Sequence, residues 1–102
     1  MPNIYTPDRW VLVDLITPKE TIRKVFAGWY GGFAGSDSWK LSSEVVMVTE
    51  DDNYYHFLNH TGSIYHCHKN ANGMSGYMAS IFAGWKSQEG DDIKIELVDV
   101  SK

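Results

Sequence analysis

The sequence predicts an α+β domain: a curled antiparallel β-sheet formed by a five-stranded meander, one helix and one C-terminal strand. Three observations carry this. Short β-branched and aromatic runs recur between turn-forming residues from Arg9 to His68. The apolar period then changes to a helical one across residues 74–90. A strict alternation returns in DIKIELVDV, residues 92–100. A chain of 102 residues is one domain by size.

The first predicted strand is RWVLVDLI, residues 9–16, and the second is TIRKVFAGW, residues 21–29. TPKE between them makes a turn, with Pro18 pre-set for its first central position. YGGFAGSDS, residues 30–38, has no apolar period and reads as a loop. Residues 39–50 carry a third strand, strongest at 45–49. YYHFLN and SIYHCH are the fourth and fifth, and KNANG breaks the sheet. In the helix, Met74, Tyr77, Met78, Ile81, Phe82 and Trp85 share one face. Ser75 is its expected N-cap and Gly90 its stop.

Composition narrows the function. Hydrophobic residues are 43% and charged residues 22%, as in ordinary folded domains. Aromatics are 14%, including four Trp and six Tyr, more than a minimal core needs, which places some at a binding surface. The net charge is −4 and Lys and Arg are scattered, which argues against binding a nucleic-acid backbone. One Cys excludes an internal disulfide and suits a reducing cytosol. The N-terminus lacks the basic-then-apolar pattern of a signal peptide, and no apolar run is long enough for a membrane span. The expected location is cytoplasmic.

Every histidine and the cysteine fall in YYHFLNHTGSIYHCHKN. A three-residue loop, His60-Thr61-Gly62, fits the hairpin, with Gly62 in the left-handed position. That register pairs Leu58 with Ile64, His56 with His66 and Tyr54 with His68. Alternation then sets His56, His66 and His68 on one face and Tyr55, Phe57, Tyr65 and Cys67 on the other. Three imidazoles on one face suit Zn²⁺, the cofactor of a metal-binding or metal-dependent hydrolase alternative. The competing reading is a half-exposed face on which histidines pair with aromatics. Cys67 faces away from its flanking histidines, so neither serves it as a base.

AGWYGGFAGSDSWK is the most unusual stretch. It matches neither a P-loop nor a dinucleotide fingerprint. Trp29, Tyr30, Phe33 and Trp39 offer stacking surfaces, and Gly31, Gly32, Gly35, Ser36 and Ser38 let backbone amides approach an anion. Lys40 adds a positive charge, and Arg9 and Arg23 join it if the sheet curls toward them. The candidate ligand set is Trp29, Tyr30, Ser36, Ser38, Trp39 and Lys40. The plainer reading is a long connection whose aromatics plug the open end of the sheet. On the helix, Gly76, Ser80, Ala83, Gly84 and Ser87 form a small-residue face suited to a homodimer crossing, or simply to solvent.

The runs GWYGGFAGSDSWKLSS and GSIYHCHKNANGMSGY resemble small proteins encoded by phages and prophages. The resemblance implies an accessory role in a bacterial host cytoplasm, where non-enzymatic inhibitors of host defence form one class. It brings no catalytic residue. No Ser-His-Asp order, catalytic carboxylate pair or cofactor motif stands out either. The sequence therefore reads as a non-enzymatic binding protein, for a host defence protein or a nucleotide-like small molecule. A metal-dependent protein and a structural assembly subunit are the alternatives.

Overall fold

The computed structural model describes residues 3–31 and 35–100. The α+β class holds, with two four-stranded sheets and one helix in place of a single curled sheet. The strands are β1 (Ile4–Tyr5), β2 (Arg9–Ile16), β3 (Thr21–Trp29), β4 (Ser38–Leu41), β5 (Val45–Glu50), β6 (Tyr54–Asn59), β7 (Ile64–His68) and β8 (Lys94–Val98). Helix α1 (Gly76–Ser87) lies between β7 and β8 in the chain. The first sheet has the order β1-β7-β6-β5 and the second β4-β3-β2-β8.

The meander expectation fails at residues 39–50, read as one strand. Ser42 divides that stretch. Its hydroxyl accepts from the Val25 N–H at 2.8 Å and donates to the Ser43 carbonyl at 2.6 Å. The chain thereby leaves β3 and crosses to the other sheet, so β4 and β5 belong to different layers. The second correction is Ile4–Tyr5, read as no element, which pairs parallel to β7 at Ile64 and Tyr65.

The layering follows from two continuous apolar runs. Strands buried on both faces need apolar residues at every position, not at alternate ones. In β2, Trp10 and Leu12 face the first sheet, while Val11 and Val13 face the helix. In β3, Val25 and Ala27 point one way and Phe26 the other. The second sheet is thus the middle layer. Trp10 anchors the inter-sheet core: it is fully buried, rests against Tyr55 and Phe57, and its indole N–H donates to the His68 carbonyl at 2.7 Å.

Ser75 caps α1 as its sequence predicts, its hydroxyl accepting from the Met78 N–H at 3.2 Å. The helix ends at Ser87, short of Gly90. Met78, Met74, Ile81, Phe82 and Trp85 pack on the second sheet, and Tyr77 stays exposed. Close approach depends on Gly28. A Cβ there would stand 2.4 Å from Met78 Sδ and 2.7 Å from its Cγ.

Candidate functional site: the uncovered sheet

The helix covers the second sheet, and the second sheet covers one face of the first. The outer face of the first sheet has no layer over it among the described residues. Its hairpin β6–β7 has the register the sequence predicts: Leu58 with Ile64, His56 with His66, Tyr54 with His68. Gly62 supplies the turn at φ 91°, and its N–H donates to the Asn59 carbonyl at 2.9 Å. Tyr65 and Cys67 are buried inward, and the three histidines are half-buried outward.

Pairing across all four strands lines the outer face in rows. Ile4 pairs with Ile64, Ile64 with Leu58, and Leu58 with Met47. This makes one apolar row across the whole sheet, with Ile4 62% and Met47 56% exposed at its ends. The next row is His66, His56 and Thr49. Met47, Thr49, His56, Leu58 and Ile64 together line a shallow depression of about 200 Å³.

The histidine row is a stack of rings. His66 stacks on Tyr54 with centroids 3.9 Å apart, and on His56 at 4.7 Å, both within 17° of parallel. His68 meets Tyr54 edge-on at 4.9 Å. His56 Nε2 lies 3.2 Å from Asp51 Oδ2, and His68 Nδ1 accepts from the Asn70 N–H at 3.0 Å. Ligands of one tetrahedral Zn²⁺ aim their nitrogens at a common point about 2 Å away. Stacked parallel rings lie in a different arrangement. Among the described residues no group of three His, Cys, Asp or Glu stands ready to hold a metal ion. Burial pushes the Cys67 thiol far up, so it rests as a protonated core residue.

Strand β5 is the edge of this sheet, and from Val46 to Glu50 its residues are exposed on both sides. Val48, paired with Phe57, lies on the strand's other side and is 48% exposed, and Val46, at the register shift, is 54% exposed. At its end the Asp51 carboxylate accepts from the Asn53 and Tyr54 N–H groups, both at 2.8 Å. These bonds, in that order, and then His56, hold its pKa below the ordinary carboxylate value. Glu50 pairs with Lys69.

The described residues of the glycine-aromatic stretch divide between two surfaces. Its strand register alternates its residues between two faces of the second sheet. Trp29 packs toward the first sheet, edge-on to Tyr5, its indole N–H donating to the Thr6 carbonyl at 3.1 Å. Lys40 sits 5.3 Å over the Tyr5 ring. Trp39 turns the opposite way, onto Phe26 and Trp85 under the helix. Tyr30, Ser36 and Ser38 are exposed. Of the amides expected to receive an anion, that of Gly31 donates to Asp37 at 2.9 Å, and the neighbouring Tyr30 N–H donates to Asp8 at 2.9 Å. Gly32 and Phe33 lie outside the described residues. Arg23 is held bidentately by Asp14, and Arg9 reaches the Asn72 carbonyl at 3.5 Å, so neither joins Lys40.

A second concavity, about 270 Å³, lies at the helix C-terminal end between Leu15, Leu41, Trp85, Ile93 and Ile95, rimmed by Gln88, Glu89 and Lys94. Glu89 there accepts from the Ile95 N–H at 2.7 Å and from Lys86 at 3.0 Å, which lower its pKa. The small helix residues Gly76, Ser80, Ala83, Gly84 and Ser87 are all exposed on the side away from the sheet. No helix among the described residues is long and apolar enough to cross a membrane. Compared with protein-family models, curated proteins and solved structures, the chain matches none.

The apolar row was missed by sequence reasoning, although Leu58 and Ile64 were correctly paired. The signal lay in Ile4 and Met47, which join the row only when the parallel β1 and the separate β5 are known.

Proposed function

We propose that this chain is a small non-enzymatic binding protein that takes a protein partner at its uncovered sheet. The observation that carries this reading is the row Ile4, Ile64, Leu58 and Met47, half-buried at its centre and exposed at both ends, lying across four strands beside the ring stack. A contiguous apolar strip with aromatic rings and few charges is the composition of an interface core. The resemblance to phage- and prophage-encoded proteins makes a host protein in the bacterial cytoplasm the partner, and inhibition of host defence the role.

The test is quantitative capture from a bacterial extract with sheet and groove variants compared. Leu58→Glu and Ile64→Glu should lose the partner, and Ile93→Glu should keep it. Equal retention by all three variants contradicts the assignment.

The groove beside Trp85 favours a second reading, a flat nucleotide-like molecule, because Trp85 lines it and Trp39 packs on Trp85 at 5.3 Å. Quenching of tryptophan fluorescence by added nucleotides, abolished in Trp85→Leu, would support that reading over the first.

A further inference from the structure

The edge of β5 carries the reading of a protein-binding sheet one step further. We propose that β5 is a strand-acceptor edge, and that its occupant is an extended partner segment with apolar residues and a cationic end. This inference rests on the protein-binding reading and specifies its geometry.

The backbone defines what the edge offers. The Asp51 N–H donates to the Tyr54 carbonyl at 3.0 Å, closing the β5–β6 hairpin. In an antiparallel ladder, bonded and non-bonded pairs alternate. Thr49 and Met47 therefore exchange bonds with His56 and Leu58. Glu50 and Val48 are the non-bonded pairs, so their N–H and C=O groups point to the open edge. The far side of β6 keeps the same phase: Asn59 N–H donates to Ser63, and Lys69 N–H donates to Asn53. No strand pairs with this edge among the described residues.

Side chains define what it accepts. An added strand would set one face beside Met47 and Thr49, lengthening the apolar row by one strand. Its other face would meet Val48, which is exposed although apolar, with Val46 exposed at the register shift beside it. Both faces of the incoming strand gain from apolar residues next to β5. The register shift between Val45 and Met47 ends the regular ladder there, so the accepted segment is short.

Charge selects the occupant. Glu50, Asp51 and Asp52 gather at one end of β5 with Lys69 as their paired cation, and Glu44 lies at the other with Lys24 lining the same depression. The carboxylates outnumber the amines. A second copy of this chain is a poor occupant. It would bring its own Glu50, Asp51 and Asp52 to an edge that already carries an excess of carboxylate. A segment with Lys or Arg beside residues 50–52 meets no such repulsion.

The test pans the full chain against two displayed libraries of eight-residue segments. Both vary apolar and Thr residues along their length; one ends in Lys and Arg, the other in Asp and Glu. The basic library should enrich at least about tenfold over the acidic one, a factor equal to about 1.4 kcal/mol. Its selected peptides should lose at least that factor on Val48→Pro. That N–H points outward, a position where an edge strand tolerates proline. N-methylation of alternate peptide amides gives the same test without altering the protein: methylating the set that faces β5 should abolish binding, and methylating the other set should not. Equal enrichment, or preference for the acidic library, overturns the inference. Binding lost on Leu58→Glu yet untouched by Val48→Pro and by N-methylation overturns the edge and leaves the sheet-face reading standing. A free chain that is dimeric in solution, and monomeric as Val48→Pro, overturns it in favour of a second copy.

Discussion

Gly28→Ala tests how the helix is seated. The added methyl would lie 2.4 Å from Met78 Sδ and 2.7 Å from Cγ, inside any allowed contact. Met78 is fully buried and packs with Val11, Val13, Phe26 and Ile95, so its displacement must shift these neighbours too. Overpacking of this kind costs about 1–3 kcal/mol. Restricting the unfolded chain returns about 0.4–1 kcal/mol. The net expectation is a loss centred on about 1.3 kcal/mol, with limits of about 0 and 2.6, read as a lower urea midpoint at unchanged slope. The thermal midpoint should fall by about 4–8 °C per kcal/mol. Met78→Ala alone should cost about 2–5 kcal/mol through its cavity. In the double variant the methyl enters space that Met78 vacates, so the two losses should sum to more than the double costs, by about 1 kcal/mol or more. A neutral or stabilising Gly28→Ala with additive effects would refute the seating of α1 on Gly28.

Trp10→Phe removes the indole N–H from the His68 carbonyl and should cost at least about 1–3 kcal/mol in urea unfolding. The buried Cys67 thiol should resist alkylation in the native protein and react at once in urea; rapid native labelling would contradict its placement. Burial raises Cys67, and burial followed by Tyr5 and Cys67 raises Tyr65 to about 12. Both groups keep their protons in the fold after the unfolded chain has lost them. Their contribution is full below the ordinary values of 9.0 and 10.0 and declines as pH rises beyond them, measurable as a falling urea midpoint. Asp51 has the opposite sign: its contribution holds above the ordinary value of 3.8 and is lost as pH falls through its lowered pKa, seen as faster amide exchange at Asn53 and Tyr54.

The β6–β7 hairpin was legible residue by residue because local chemistry fixes it. Gly62 sets the turn, the turn sets the register, and alternation sets the faces. The Ser75 cap and the apolar face of α1 are local in the same sense. The two-sheet layering was not read, although its signal is present. VLV in β2 and VFA in β3 are continuous apolar runs, the mark of strands covered on both sides. A single sheet with one helix covers both faces of those strands only by curling onto itself. The crossing at Ser42 depends on a hydrogen bond to Val25, seventeen positions away, which no local pattern encodes. The candidate ligand set is divided between two faces for a related reason, with Trp29, Ser38 and Lys40 on one and Trp39 on the other. Trp29 and Trp39 sit near each other in sequence, but β3–β4 pairing sets them on opposite faces.

The account turns on a sheet that is open at its face and edge in the free protein. Residue-resolved amide exchange across β5 measures this directly. The Val48 and Glu50 amides should exchange at nearly the rate of unstructured chain, while Met47 and Thr49, bonded to β6, should be protected by orders of magnitude. Equal protection of all four would mean that the edge is already occupied, and would contradict the central claim.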